Sequence, residues 1–106
     1  MKRLWLPLLF SMTVSTFAAS GELTPARRMQ LDNLVLQDCG SCHGLTLRGG
    51  LGKPLLPANL APFPDDAIAA VILDGVKGTP MPPWRGLLSE TEALWIAQQL
   101  KQGLKP

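Results

Sequence analysis

Residues 39–43 read Cys-Gly-Ser-Cys-His, a C-x-x-C-H pattern. On a helix the two thiols stand about one turn apart, and the imidazole follows at once. That spacing suits two thioether bonds, from Cys39 and Cys42, to the two vinyl groups of one porphyrin. His43 then reaches the proximal axial position of the iron. Gly40 and Ser41 are small and let the backbone lie close to the porphyrin edge. Other chemistries of paired thiols fit less well. No other Cys or His exists in the chain, so a structural zinc site lacks ligands. A thioredoxin-like redox pair wants a βαβ setting that the surroundings do not offer. A Cys39–Cys42 disulfide would close a trivial loop and stabilise little.

Haem iron in electron-transfer proteins usually takes a second axial ligand. Beyond the N-terminal segment the only methionines are Met29 and Met81. Met29 lies on the first expected helix and reads as a packing residue. Met81 stands in Gly78-Thr79-Pro80-Met81-Pro82-Pro83-Trp84. The prolines stiffen this loop and hold Thr79 and Met81 extended, so it can present a thioether at little ordering cost. The competing reading of Met81 is a buried core side chain. A thioether opposite an imidazole favours ferrous iron and raises the potential. The Trp84 indole N–H could bond a haem propionate while its ring walls the pocket, or the ring could simply pack. Trp95 reads as core. Arg48, Lys53, Lys77 and Arg85 are the basic residues nearest these segments. They could ring an exposed haem edge and steer docking, or be ordinary solvated surface.

Three helices must position these groups. Thr24-Pro25 caps and opens the first, expected over about Pro25–Asp38 with Leu31, Leu34 and Val35 at helical spacing. Residues 44–64 show no periodicity, many Gly and Pro, and leucines that need an apolar cover. Pro64-Asp65-Asp66 opens a second helix with Ala67, Ile68, Val71 and Ile72 on its apolar face, ending near Asp74-Gly75. Ser89-Glu90-Thr91-Glu92 is a capping box for a last helix bearing Ala93, Leu94, Ile96, Ala97 and Leu100, with Gly103 as terminator. The expected fold class is all-α: three main helices and long loops around one covalent haem.

The 106 residues allow one ordinary domain. Lys2-Arg3, an apolar run and small residues near Ala18-Ala19-Ser20 follow the plan of a secretory signal peptide, cut after Ala18 or Ser20. The run is shorter than the roughly 20 residues that cross a bilayer. Residues 1–20 are therefore expected to be removed, leaving 21–106 as the functional domain without stable membrane insertion. Of ten basic and eight acidic side chains, Lys2 and Arg3 fall in the leader, so the remainder balances at eight each. Nucleic-acid binding gets no support from that charge. A domain this small often needs a cofactor or staple. An enzyme is not expected, because no acid–base pair or nucleophile clusters near the C-x-x-C-H motif.

A helix into CGSCHG, a Leu- and Pro-rich loop, a helix ending in ILDG, then GTPMPPW and a last amphipathic helix resemble class I monohaem cytochromes c over essentially all the chain after the leader. More narrowly, CHGLTLRGGLG and GTPMPPW look like the c55X-type cytochromes of denitrifying bacteria, encoded beside cytochrome cd1 nitrite reductase. The resemblance implies a periplasmic, monomeric carrier cycling one electron on haem c and donating to that enzyme. It also leaves open a redox accessory role toward a haem d1 maturation protein. A third reading is a binder of nitric oxide or carbon monoxide in which Met81 is labile. Residue by residue, Cys39 and Cys42 match the thioether cysteines, His43 the proximal ligand and Met81 the distal ligand. The fold implies a proline carbonyl, from Pro54 or Pro57, accepting the His43 N–H. It also implies a helix contact usually made by a Gly on the first helix, here to be remade by Leu31 or Asp32 near Trp95.

Overall fold

The computed structural model describes residues 2–5, 7, 9 and 23–104. The expected leader and its cleavage site lie outside the described residues save for those first few. Among the described residues there are helices and no strand.

Helix α1 spans Pro25–Leu34. The Thr24 hydroxyl accepts the Arg27 N–H at 3.1 Å, and Pro25 takes the first turn, where its missing N–H costs nothing. The helix does not stop at Asp38. It passes through one π-helical turn, Val35–Cys39, into a short α2, Gly40–His43. The π bond runs from the Gly40 N–H to the Val35 carbonyl. Its extra residue re-phases the helix: the buried positions are Leu31, Val35 and then Gly40, a step of four followed by a step of five. Gly40 therefore faces inward against Leu45 and the Val35 carbonyl, while Cys39 is only half-buried.

The long connection carries a helical turn, α3 (Pro57–Leu60), followed by α4 (Asp65–Asp74) and α5 (Glu90–Gln102). Asp65 and Asp66 sit at the positive end of α4. In α5 the Ser89 hydroxyl accepts the Glu92 N–H at 3.1 Å and the Glu92 carboxylate accepts the Ser89 N–H at 2.9 Å, closing the capping box. The core lies between α4 and α5, with Leu31 of α1 and Val35 of the π turn against it. On α4 the buried side is Ile68, Ala69, Ile72 and Leu73. The expected face is thus turned by one position: Ala67 is exposed and Val71 is 46% exposed. Leu94 of α5 is likewise exposed, and Met29 is 66% exposed rather than packed.

The missing Gly on α1 is compensated from the other side. Leu31 is fully buried in one cluster with Ala93 and Ala97, two small residues one turn apart on α5. Trp95 packs half-buried against the same cluster. An ion pair from Arg27 to Glu92 also ties α1 to α5.

The Arg27 guanidinium holds the Glu92 carboxyl below its ordinary value of 4.5, aided by the Ser89 N–H. A depressed carboxyl stabilises the fold above its unfolded value and stops doing so as pH falls through the folded value. Glu92→Gln keeps the cap and removes the pair. At pH 7 its Tm should lie about 2–5 °C below wild type, and this gap should close on acidification below about 4.5.

Candidate functional site

Cys39, Cys42 and His43 sit on one continuous helical run. Both cysteines are unpaired and half-buried. Burial pushes the Cys39 thiol up to about 11, and the charge of Asp38 adds to the effect. The Ser41 hydroxyl donates to the Asp38 carbonyl at 2.7 Å, turned back along the helix.

The chain then wraps around the helix end. Two loop N–H groups reach back to its last turn, Gly49 to the His43 carbonyl at 2.8 Å and Gly52 to the Cys42 carbonyl at 2.7 Å, while the Leu47 N–H closes a turn onto the Gly44 carbonyl at 2.8 Å. These satisfy carbonyls that a helix C-terminus leaves without partners. Leu47, with its N–H in this wrap, is buried in the core, as is Leu60. Leu45, Leu51 and Leu56 of the same loop stay exposed, Leu51 at 78%.

The wrap brings the Lys53 carbonyl to 2.7 Å from His43 Nδ1. A carbonyl can only accept, so Nδ1 carries the proton and Nε2 keeps its lone pair. This corrects the expectation that Pro54 or Pro57 supplies the acceptor. The Pro57 carbonyl is already used by the Ala61 N–H at 2.9 Å in α3. Pro54 acts one residue earlier: its ring disfavours helical backbone at Lys53 and leaves that carbonyl outside any helical ladder. Gly52 is what permits the approach. A Cβ there would stand 2.7 Å from Nδ1 and Cε1 of His43.

Met81 lies on the strap between α4 and α5, half-buried. Trp84 follows it, half-buried against the core, with its backbone N–H donating to the Ile72 carbonyl at 3.1 Å. Among the described residues its indole N–H has no partner. Arg85 leaves the expected basic ring, since it pairs with Asp74 at 2.8 Å and with Glu90 at 3.6 Å. Arg48, Lys53 and Lys77 are exposed and in no ion pair among the described residues.

The donor set suits haem c: two unpaired thiols, and an imidazole whose proton is fixed away from the nitrogen that would meet iron. Fold and site together are those of a class I c-type cytochrome. Residues 26–99 match the family model described as Cytochrome C oxidase, cbb3-type, subunit III. The chain is 48% identical over 101 residues to a cytochrome c55X of Pseudomonas aeruginosa, covering 94% of this chain and 85% of that one. It is 52% identical over 83 residues to a cytochrome c55X of Paracoccus denitrificans, covering 78% and 81%. A solved structure of a c-type cytochrome NirC superposes with a TM-score of 0.77 at 48% identity, over 79% of this chain and all of that one. The chain belongs to the cytochrome c55X family of c-type cytochromes, which carry covalently attached haem and transfer electrons.

Sequence reasoning missed Lys53 and Gly52. The signal that could have found them was the glycine cluster Gly49, Gly50 and Gly52 just after His43, a mark of close backbone approach. Gly52→Ala should drive the imidazole off the Lys53 carbonyl. The yield of haem-loaded protein should fall about tenfold or more. The remaining protein should show a raised potential, because as an iron ligand the imidazole would donate less without that bond. Gly86→Ala is the matched control, since its Cβ would meet nothing within 4 Å; it should leave yield and potential unchanged.

Proposed function

We propose that Cys39 and Cys42 hold the haem through thioethers, that His43 Nε2 and the Met81 sulfur are its axial ligands, and that the protein is a periplasmic one-electron donor to cytochrome cd1 nitrite reductase. The observation that carries the reading is the 2.7 Å contact of His43 Nδ1 with the Lys53 carbonyl, which leaves Nε2 free beside two unpaired thiols. The bound group supplies a one-electron iron couple. The chain's own residues do the rest. His43 holds its proton at Nδ1 and so keeps one tautomer. The strap holds Met81. Trp84 offers an indole N–H, free among the described residues, to a propionate. With His43 and Met81 both holding the iron, the bound group would pass electrons without binding a substrate, which is the behaviour of a carrier and not of an enzyme.

The partner is argued from the c55X resemblance and from charge. Arg48, Lys53 and Lys77 are exposed cations free to meet an acidic surface. No helix among the described residues is long and apolar enough to cross a membrane.

The test is stopped-flow mixing of the reduced protein with oxidised cytochrome cd1. Rapid reoxidation is expected, and it should slow as salt is raised because the docking charges are exposed. No reoxidation on mixing would count against the donor role. A deletion strain whose reductase lacks haem d1 would place the protein in maturation of that cofactor instead.

A further inference from the structure

The strap carrying Met81 is more tightly tied than its prolines alone require. The chain leaves α4 at Asp74 and reverses at once. Trp84 and Arg85 return alongside the helix end and donate to the Ile72 and Leu73 carbonyls, each at 3.1 Å. Between these points the Val76 N–H donates to the Met81 carbonyl at 3.2 Å. The Thr79 hydroxyl closes the turn. It donates to the Val76 carbonyl at 2.8 Å and accepts the Met81 N–H at 3.3 Å. Both backbone polar groups of Met81 are thus bonded, with Pro80 before it and Pro82 after it. One side chain, Thr79, bridges the outgoing and returning arms of the loop.

Gly75 makes the reversal feasible. Its φ of 65° with ψ of −169° is open essentially to glycine alone. A Cβ there would stand 2.7 Å from the Met81 carbonyl oxygen and 2.8 Å from Pro82 C and Pro83 N. The Met81 segment rests directly on the Gly75 backbone.

We infer that Thr79 is a positioning residue for Met81: its hydroxyl, seated in the turn that Gly75 permits, locks the Met81 backbone and sets how firmly the thioether holds the distal position against an incoming ligand. This rests on the reading of Met81 as the distal ligand. With the clasp closed, the sulfur competes well and small ligands bind slowly. With it open, the same iron becomes a ligand-binding centre.

The experiment uses exported, haem-loaded Thr79→Val, Thr79→Ser and Met81→Ala. The readouts are the far-red sulfur-to-iron band of the oxidised protein, carbon monoxide association to the reduced protein, and wild-type amide exchange at Met81. Valine matches threonine in shape and removes both hydroxyl bonds. Loss of two such bonds should weaken the band and speed carbon monoxide association about tenfold or more. Serine keeps the hydroxyl and should stay within about twofold of wild type. The Met81 amide should exchange more slowly than those of Lys77 and Gly78. A valine variant equal to wild type overturns the inference, as does a serine variant equal to valine. An unprotected Met81 amide in wild type overturns it without any variant having to fold. Failure of the underlying reading looks different: wild type without the far-red band, or Met81→Ala retaining it, removes Met81 as ligand and this inference with it.

Discussion

An imidazole that carries its proton on Nδ1 needs an acceptor beside that atom, and here the acceptor is one backbone carbonyl, that of Lys53. Much of the N-terminal half is arranged around that contact. The helix must run unbroken through the cysteines to His43, which the π turn allows by re-phasing it so that Gly40 and not Cys39 faces the core. The loop must fold back over the helix end, and its N–H groups cap the carbonyls of Cys42 and His43 as it does so. Gly52 must lack a side chain because the imidazole occupies that space. One set of backbone bonds therefore terminates a helix and fixes a histidine tautomer, a useful economy in a domain with a limited core.

The same economy appears at the other end. The carbonyls of Ile72 and Leu73 are left over when α4 stops, and they are taken by Trp84 and Arg85, the residues just beyond the Met81 strap. Arg85 adds a bidentate contact to Asp74, with Nε at 2.9 Å and Nη2 at 2.8 Å from one carboxylate oxygen. The hydrogen bond to Asp74, and then its charge, hold that guanidinium above its ordinary value. Capping a helix and anchoring the methionine loop are again one act. At the far end of α5, Lys101 reaches the Phe63 carbonyl at 2.9 Å and Asp65 at 3.0 Å, closing the long loop onto the helix that ends the domain.

How much of this was legible in the residues depended on whether a side chain or a backbone group did the work. Thr24-Pro25, Asp65-Asp66 and Ser89-to-Glu92 announce three helix starts, and all three helices begin there. The face of α4 was read one position off because Ala69-Ala70-Val71-Ile72-Leu73 is apolar throughout, and a continuous run carries no period. The π turn is invisible in sequence, since it is a backbone bond, from the Gly40 N–H to the Val35 carbonyl, that no residue type marks. The Lys53 carbonyl is hidden for a similar reason: a backbone acceptor has no residue signature, whereas the prolines that shape its neighbourhood do. In sequence Arg85 looks like the other surface cations, and only the reversal of the strap brings it against Asp74, 11 residues earlier in the chain.

Intact mass spectrometry of the protein exported by cells that mature c-type haem tests the central claim most directly. The expected result is a chain that has lost its leader and gained the mass of one haem, retained through acid–acetone extraction and mapping to the peptide of Cys39–His43. A haem-free chain with a Cys39–Cys42 disulfide, or haem that acid–acetone removes, would contradict it.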